Sequence, residues 1–135
     1  MDIKQITYNK TVALVFKGIT ANGVKFLTPP AYTLQLGLIE HPAGKVVKNH
    51  IHRKDIKYHV DTTQEFLYIV KGKVKVHLFS DDWEPLEDVI LTAGDFILAV
   101  SGGHGLEVLE KCKIIEVKQG PYPGDKEAKV YQNER

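Results

Sequence analysis

Two stretches of the chain decide what fold and what site it can form. Residues 44–72 read GKVVKNHIHRKDIKYHVDTTQEFLYIVKG, and residues 94–104 read GDFILAVSGGH. They contain three histidines and one carboxylate that matter most here, namely His50, His52, Glu65 and His104. Each of the four lies in or at the start of a run rich in β-forming residues. Strands that lie side by side could therefore gather the four side chains into one cluster.

The residues before and within the first stretch alternate between apolar and other side chains. Residues 32–39 alternate over their whole length and predict one strand, and residues 45–52 predict a shorter strand after a proline-containing turn. Residues 53–64 show no period and carry many charges, which is typical of a long loop. The two histidines of the His-x-His pair are thus predicted to lie on a strand that a loop separates from Glu65.

Short β-rich runs fill the rest of the chain. Residues 65–71 and 73–80 predict two strong strands, and Lys71-Gly72 between them predicts a tight hairpin. Residues 3–8 and 12–17 predict edge strands that precede the main body. Further strands are predicted at residues 89–91, 96–100, 105–109 and 113–118.

The arrangement of these runs predicts an all-β fold. No stretch shows a helical stripe of three turns, and glycine or proline separates most of the strands. Many short strands of this kind close into a barrel or pack as two sheets. A chain of 135 residues has the size of one domain. We expect a single domain over 1–135, with its core at about 30–118 and a polar arm or tail at 119–135.

Charge and composition exclude several classes of protein. The net charge of +1 provides no field that would draw the chain to nucleic acid or to a membrane, and its basic residues lack interleaved aromatics. Cys112 is the single cysteine, which excludes an internal disulfide and fits a reducing compartment. No window approaches 18 apolar residues. The sequence therefore predicts a cytoplasmic protein without a nucleic-acid or membrane partner.

The four singled-out side chains have the chemistry of metal ligands. Alternation on a strand places His50 and His52 on one face, about 7 Å apart, where both rings can turn toward one ion. Glu65 and His104 begin two other predicted strands and can contribute from there. Each residue also has an ordinary structural interpretation, such as an exposed edge histidine, a rim charge pair or a turn histidine. His59, in the predicted loop, could replace Glu65 as a ligand.

The spacing of these residues resembles the two-part motif of the cupin superfamily. Gly44, His50, His52, Glu65 and Gly72 follow the first part, and Gly94, Gly102 and His104 follow the second. The resemblance covers about residues 30–118. It implies a small antiparallel jelly-roll barrel that holds a divalent metal ion, commonly iron, manganese, zinc, nickel or copper, and it implies a homodimer. The implied ligands are His50, His52, Glu65 and His104.

Three function classes stay open on the sequence, and so does the question whether the chain is an enzyme. The first is a metal-binding cupin that acts on a sugar or an anionic metabolite at open coordination positions. The second, also known among cupin-like proteins, is a metal-independent sugar-nucleotide ketoisomerase or epimerase with His50 and His52 as acid and base, and with Lys48 and Arg53 near the diphosphate. The third is a non-catalytic module for a small ligand. Residues 63–68, 102–105 and 116–122 also resemble small stand-alone cupins of mostly unassigned function, some associated with surface-sugar biosynthesis.

Overall fold

The structure, a computed structural model, describes residues 2–132, and almost all of its regular structure is β-strand. A four-residue helix, α1, spans Asp125–Ala128 in the predicted C-terminal arm. The strands are β1 (Asp2–Tyr8), β2 (Lys10–Lys17), β3 (Gly23–Phe26), β4 (Gly37–Glu40), β5 (Glu65–Phe79), β6 (Pro85–Thr92), β7 (Phe96–Ala99) and β8 (Gly103–Lys118). The prediction of an all-β fold is confirmed.

The strands form one curled antiparallel sheet organised around β5. The sheet runs in the order β1-β2-β7-β5-β6, and β8 also pairs with β5, while β3 and β4 form a separate hairpin. The first residues of β5 pair with β7 and its last seven pair with β6, both on the same edge. β8 lies along the other edge of β5 for nearly its whole length. The long β5–β8 ribbon thus curves the sheet into a half-barrel.

Gly72 lies where the β5–β8 ribbon bends. The strand register shifts three times between Ile69 and Val74, which marks a bulged region. Gly72 has a φ of 93°, and a Cβ there would lie only 2.2 Å from the backbone oxygen of Lys111. Only glycine allows β8 to pass so closely in this conformation. The predicted hairpin at Lys71-Gly72 is therefore wrong, because the chain bends at this glycine and continues as one strand.

The same ribbon corrects a second prediction about strand boundaries. Residues 105–109 and 113–118 were predicted as separate strands, but β8 runs through both as a single strand of 16 residues. Its middle, around Lys111 and Cys112, lies against Gly72. The polar residues at this point mark the bend in the ribbon and do not end the strand.

The core lies on both faces of β2, which is an interior strand. Residues 12–16 are all buried, and β2 pairs with β1 on one edge and β7 on the other. Val15 packs with Ile69, Val76 and Leu78 of β5 in one cluster. Leu14 and Phe16 pack with Leu98 in a second cluster on the opposite face. The prediction of residues 12–17 as an edge strand is wrong, and the core begins well before residue 30.

Residues 19–36 cover the second cluster without forming the long strand predicted there. Only residues 37–39 of the predicted strand at 32–39 are in a strand, β4, which pairs with β3, a strand that was not predicted. Leu34 and Leu36 still pack against the core. Their backbone N–H groups donate to side chains, Leu34 to the Gln64 amide oxygen and Leu36 to the Thr28 hydroxyl. Side chains thus satisfy the backbone where a neighbouring strand was expected.

Candidate functional site

Glu65 and His104 meet although they lie at opposite ends of the β5–β8 ribbon. Glu65 pairs with Lys118 at one end, and His104 pairs with Leu78 at the other. Because the ribbon bends near Gly72, its two ends fold toward each other, and His104 Nε2 lies 3.5 Å from Glu65 Oε1. The side chains are 31% and 17% exposed, respectively. The bend therefore places an imidazole nitrogen and a carboxylate oxygen together at one end of the half-barrel.

The surroundings of Glu65 favour its charged form. His104 lowers the pKa of Glu65 mainly through its hydrogen bond and also through its charge, and the more distant charges of Lys118 and Lys129 act in the same direction. Partial burial opposes this by favouring the neutral acid. The net pKa lies below the usual value for glutamate. A deprotonated carboxylate is the form that binds cations.

His50 and His52 lie apart from this pair, in the segment that links β4 to β5. We call residues 41–63 the connecting segment; all of them are exposed, and none belongs to a strand. The predicted strand at 45–52 is therefore wrong for this conformation. The two imidazole rings lie edge to face with centroids 5.3 Å apart, and His50 Nδ1 is 2.8 Å from the Lys48 carbonyl oxygen.

The four predicted ligands are thus only partly gathered. Within residues 2–132, no group of three or more His, Cys, Asp or Glu side chains is placed to hold a metal ion. Glu65 and His104 come together, while His50 and His52 are held outside. His59, the predicted substitute, pairs instead with Asp61 at 2.6 Å, and both side chains are largely exposed. The ligand set itself stays a prediction.

The connecting segment carries a concentration of positive charge. Five of its side chains are basic and exposed: Lys45, Lys48, Arg53, Lys54 and Lys57. The Arg53 guanidinium donates to both carboxylate oxygens of Asp55, at 3.0 and 2.6 Å, which raises the pKa of Arg53 and lowers that of Asp55. In this segment the lysines are the groups best able to attract an anionic molecule.

Lys118 and Tyr122 were not predicted as part of the site. Lys118 stands opposite Glu65 in the strand register, and its Nζ lies 2.7 Å from Glu116 and 4.3 Å above the ring of Tyr122. Both fall in the run at 116–122 that the sequence resemblance had singled out without a role. Because Lys118 ends β8 opposite Glu65, that run lies at the rim around Glu65.

A polar cleft lies near the start of β5. It has a volume of about 390 Å³ and is lined in part by Gln64, the residue before Glu65, and by Thr11, Thr33, His59 and Ser101. Hydroxyl, amide and imidazole groups of this kind hydrogen-bond polar small molecules. The cleft therefore offers a place for a polar ligand, and neither Glu65 nor His104 lines it.

A carboxylate and an imidazole fit a divalent transition metal as two of its ligands. Such ions accept oxygen and nitrogen donors, and here a carboxylate oxygen and an imidazole nitrogen lie 3.5 Å apart. Two donors do not make a complete site, and the remaining ligands would have to come from elsewhere in the chain. The two histidines of the connecting segment carry the required donor atoms.

Comparison with known proteins leaves the fold and the site geometry as the basis for any assignment. No protein-family model, curated protein or solved structure matches the chain. In the part of the chain that the structure describes, no helix is long and apolar enough to cross a membrane. The molecule is thus defined by its class, an all-β protein with a curled antiparallel half-barrel and a carboxylate–imidazole pair at one end.

Proposed function

We propose that this chain binds one divalent transition-metal ion where Glu65 meets His104, and that His50 and His52 supply the other protein ligands. The observation that carries the proposal is the 3.5 Å approach of His104 Nε2 to Glu65 Oε1 across the bent ribbon. The strand register shifts three times between Ile69 and Val74, where the ribbon that joins these two side chains bends. Three imidazoles and one carboxylate suit several metals, so we assign none.

The ion would polarise or hold a small anionic or polyhydroxylated ligand at its open coordination positions. The exposed lysines of the basic connecting segment would attract such a ligand. The acid–base alternative through His50 and His52, and the sensor alternative, stay predictions. The homodimer and the cytoplasmic location also stay predictions.

Elemental analysis of protein purified without chelator tests the metal. We expect about one ion per chain in the wild type. His104→Ala and the double variant His50→Ala/His52→Ala should each weaken metal affinity by at least the roughly 10–100-fold that loss of a mere outer-shell partner costs. His77→Ala is the matched control, because His77 alternates with the buried Leu78, so it points to the opposite face of β5, and there it pairs with Asp88 at 2.7 Å.

The control variant should keep the wild-type metal content. Unchanged metal in both the His104→Ala and the His50→Ala/His52→Ala proteins would refute the proposal. So would a wild-type protein that takes up no divalent metal in a titration with Zn²⁺, Mn²⁺, Fe²⁺, Ni²⁺ or Cu²⁺.

A further inference from the structure

The half-barrel has an open edge at β8, and the residues along it face the core without being covered. In antiparallel pairs, directly opposed residues point to the same face of the sheet. Leu106 is opposed to Val76 and Val108 to Val74, and both valines are fully buried. Leu106 and Val108 are nevertheless 43% and 57% exposed. Among the described residues β8 pairs only with β5, so the apolar inner surface continues past the last paired strand.

His104 belongs to the same inward-facing row. It is opposed to Leu78, which is buried in the core, just as Leu106 and Val108 are opposed to buried valines. A strand added to the free edge of β8 would therefore lie next to His104 and would cover the two apolar side chains beside it. It would also satisfy the unpaired backbone groups that an edge strand presents.

The connecting segment contains a stretch with the pattern of such a strand. In residues 45–52 the side chains of Val46, Lys48, His50 and His52 would share one face. Val46, on the face shared with the two histidines, is 82% exposed, a value typical of an apolar side chain without a packing partner. Two exposed apolar surfaces in one chain can bury each other, and the tether between them keeps their effective concentration high.

Charge favours this segment as the occupant of the open edge. Lys45 is exposed and lies on the face of the segment opposite to His50 and His52. The outer face of β8 carries Glu107 and Glu110, whose side chains are 56% and 67% exposed although they lie 3.7 and 3.9 Å from His77 and Lys73 of β5. Pairing the segment with this edge sets opposite charges near one another, whereas two copies of β8 would bring their own glutamates together. A second copy is therefore the less favoured occupant.

We propose that residues 45–52 add to the free edge of β8 as an antiparallel strand when the metal binds, so that ordering of the connecting segment completes the site. The inference rests on the proposed function and goes beyond it, since it makes metal binding and barrel closure one event. Metal binding often stabilises folding in this way because the ligands are brought together only in the ordered state. In the conformation described above, Glu65 and His104 lie together, while His50 and His52 lie on the connecting segment.

Hydrogen exchange of the full chain with and without Zn²⁺ tests this directly. Zn²⁺ alone is the probe, because it has no redox chemistry. We expect the backbone amides of residues 45–52 and 103–109 to exchange at least about tenfold more slowly with Zn²⁺, while those of β2 do not change. Zn²⁺ affinity is measured on the same samples by calorimetry, and mass is measured by light scattering.

A matched pair of proline variants separates strand addition from simple ligand contact. Asn49→Pro removes an amide and blocks strand pairing within residues 45–52 without touching a proposed ligand. Lys57→Pro places the same change in the connecting segment outside that stretch. We expect Asn49→Pro to lose the protection and to bind Zn²⁺ at least about tenfold more weakly, and Lys57→Pro to behave as the wild type.

The possible failures are distinguishable. Wild-type Zn²⁺ affinity with no protection of residues 45–52 would overturn the closure and leave the proposed metal site standing. Protection of 103–109 alone, together with a doubled mass, would show that a second copy covers β8 and would also overturn it. Protein that binds no Zn²⁺ or other divalent metal would refute the proposed function, and the closure with it.

Discussion

β2 and the connecting segment both contain short β-rich runs, yet they end in opposite environments. In β2 every residue from 12 to 16 is buried, whereas Val46, Val47 and Ile51 in the segment are among the most exposed apolar residues described. β2 has a paired strand on each edge, and residues 45–52 have none in the described part of the chain. The comparison teaches that a run with β propensity and alternation forms a strand only where the edge of a neighbouring strand is available to pair with it.

Removal of one large side chain from each region should give the largest contrast. Phe16 is fully buried and stacks on Phe96 with ring centroids 4.9 Å apart, so Phe16→Ala should cost about 3–5 kcal/mol of unfolding free energy. Ile51→Ala should change the unfolding free energy of the metal-free protein by about 0.5 kcal/mol or less. Urea denaturation followed by circular dichroism measures both. An equal loss in both variants would mean that the segment is packed even without metal.

Two glycines with nearly the same backbone conformation give the next contrast. Gly72 has a φ of 93° and Gly44 a φ of 90°, so alanine is strained at both positions. At Gly72 the added Cβ would also meet the Lys111 oxygen at 2.2 Å, while at Gly44 it meets nothing within 4 Å. We expect Gly72→Ala to lower the unfolding free energy by about 2–4 kcal/mol and Gly44→Ala to lower it by about 1 kcal/mol.

Thermal unfolding of the two glycine variants measures the difference between them. Gly72→Ala should also move Glu65 away from His104, because the bend brings these residues together. If Gly72→Ala were as stable as Gly44→Ala, the close approach of β8 at this glycine would not exist in solution.

Two aspartates of the same chemistry give the smallest contrast. Asp95 is largely buried, and its Oδ2 accepts hydrogen bonds from the Thr92 backbone N–H at 2.8 Å and from Lys17 Nζ at 3.0 Å. Asp95→Ala should therefore cost about 1–3 kcal/mol. Asp55 pairs with Arg53 in the exposed connecting segment, and we expect Asp55→Ala to leave the denaturation midpoint unchanged. A clear loss in Asp55→Ala would show that the Arg53–Asp55 pair orders the segment.

The sequence allowed the fold class to be predicted, and also the approach of two of the four candidate ligands. Period-two runs and turn residues were enough for the all-β assignment, because they are local signals. Glu65 and His104 were predicted to belong to one cluster, and they do meet at 3.5 Å. The strand starts at which they stand are local features too, so sequence patterns could place them.

The predictions that failed concern strand ends and strand edges that a distant partner decides. Glycine at Gly72 serves a tight turn and a bulge equally well, and only the approach of Lys111 from 39 residues away decides between them. Residues 12–17 read as an edge strand because nothing local shows that β7 will pair with them. Residues 45–52 were predicted as a strand because their pattern is typical of one. In the described part of the chain, however, no neighbouring strand pairs with them.

The packing of Trp83 on Gly103 gives the molecule an optical reporter. Trp83 is the only tryptophan in the chain, its ring lies edge-on to Phe79 with centroids 5.5 Å apart, and a Cβ on Gly103 would come within 2.8 Å of it. Gly103 is the residue before His104. Indole emission is sensitive to the packing around the ring, so a shift in the fluorescence of the unlabelled protein reports from the His104 end of β8. The proposed binding of an ion and the proposed addition of a strand can therefore be timed by fluorescence in a stopped-flow instrument.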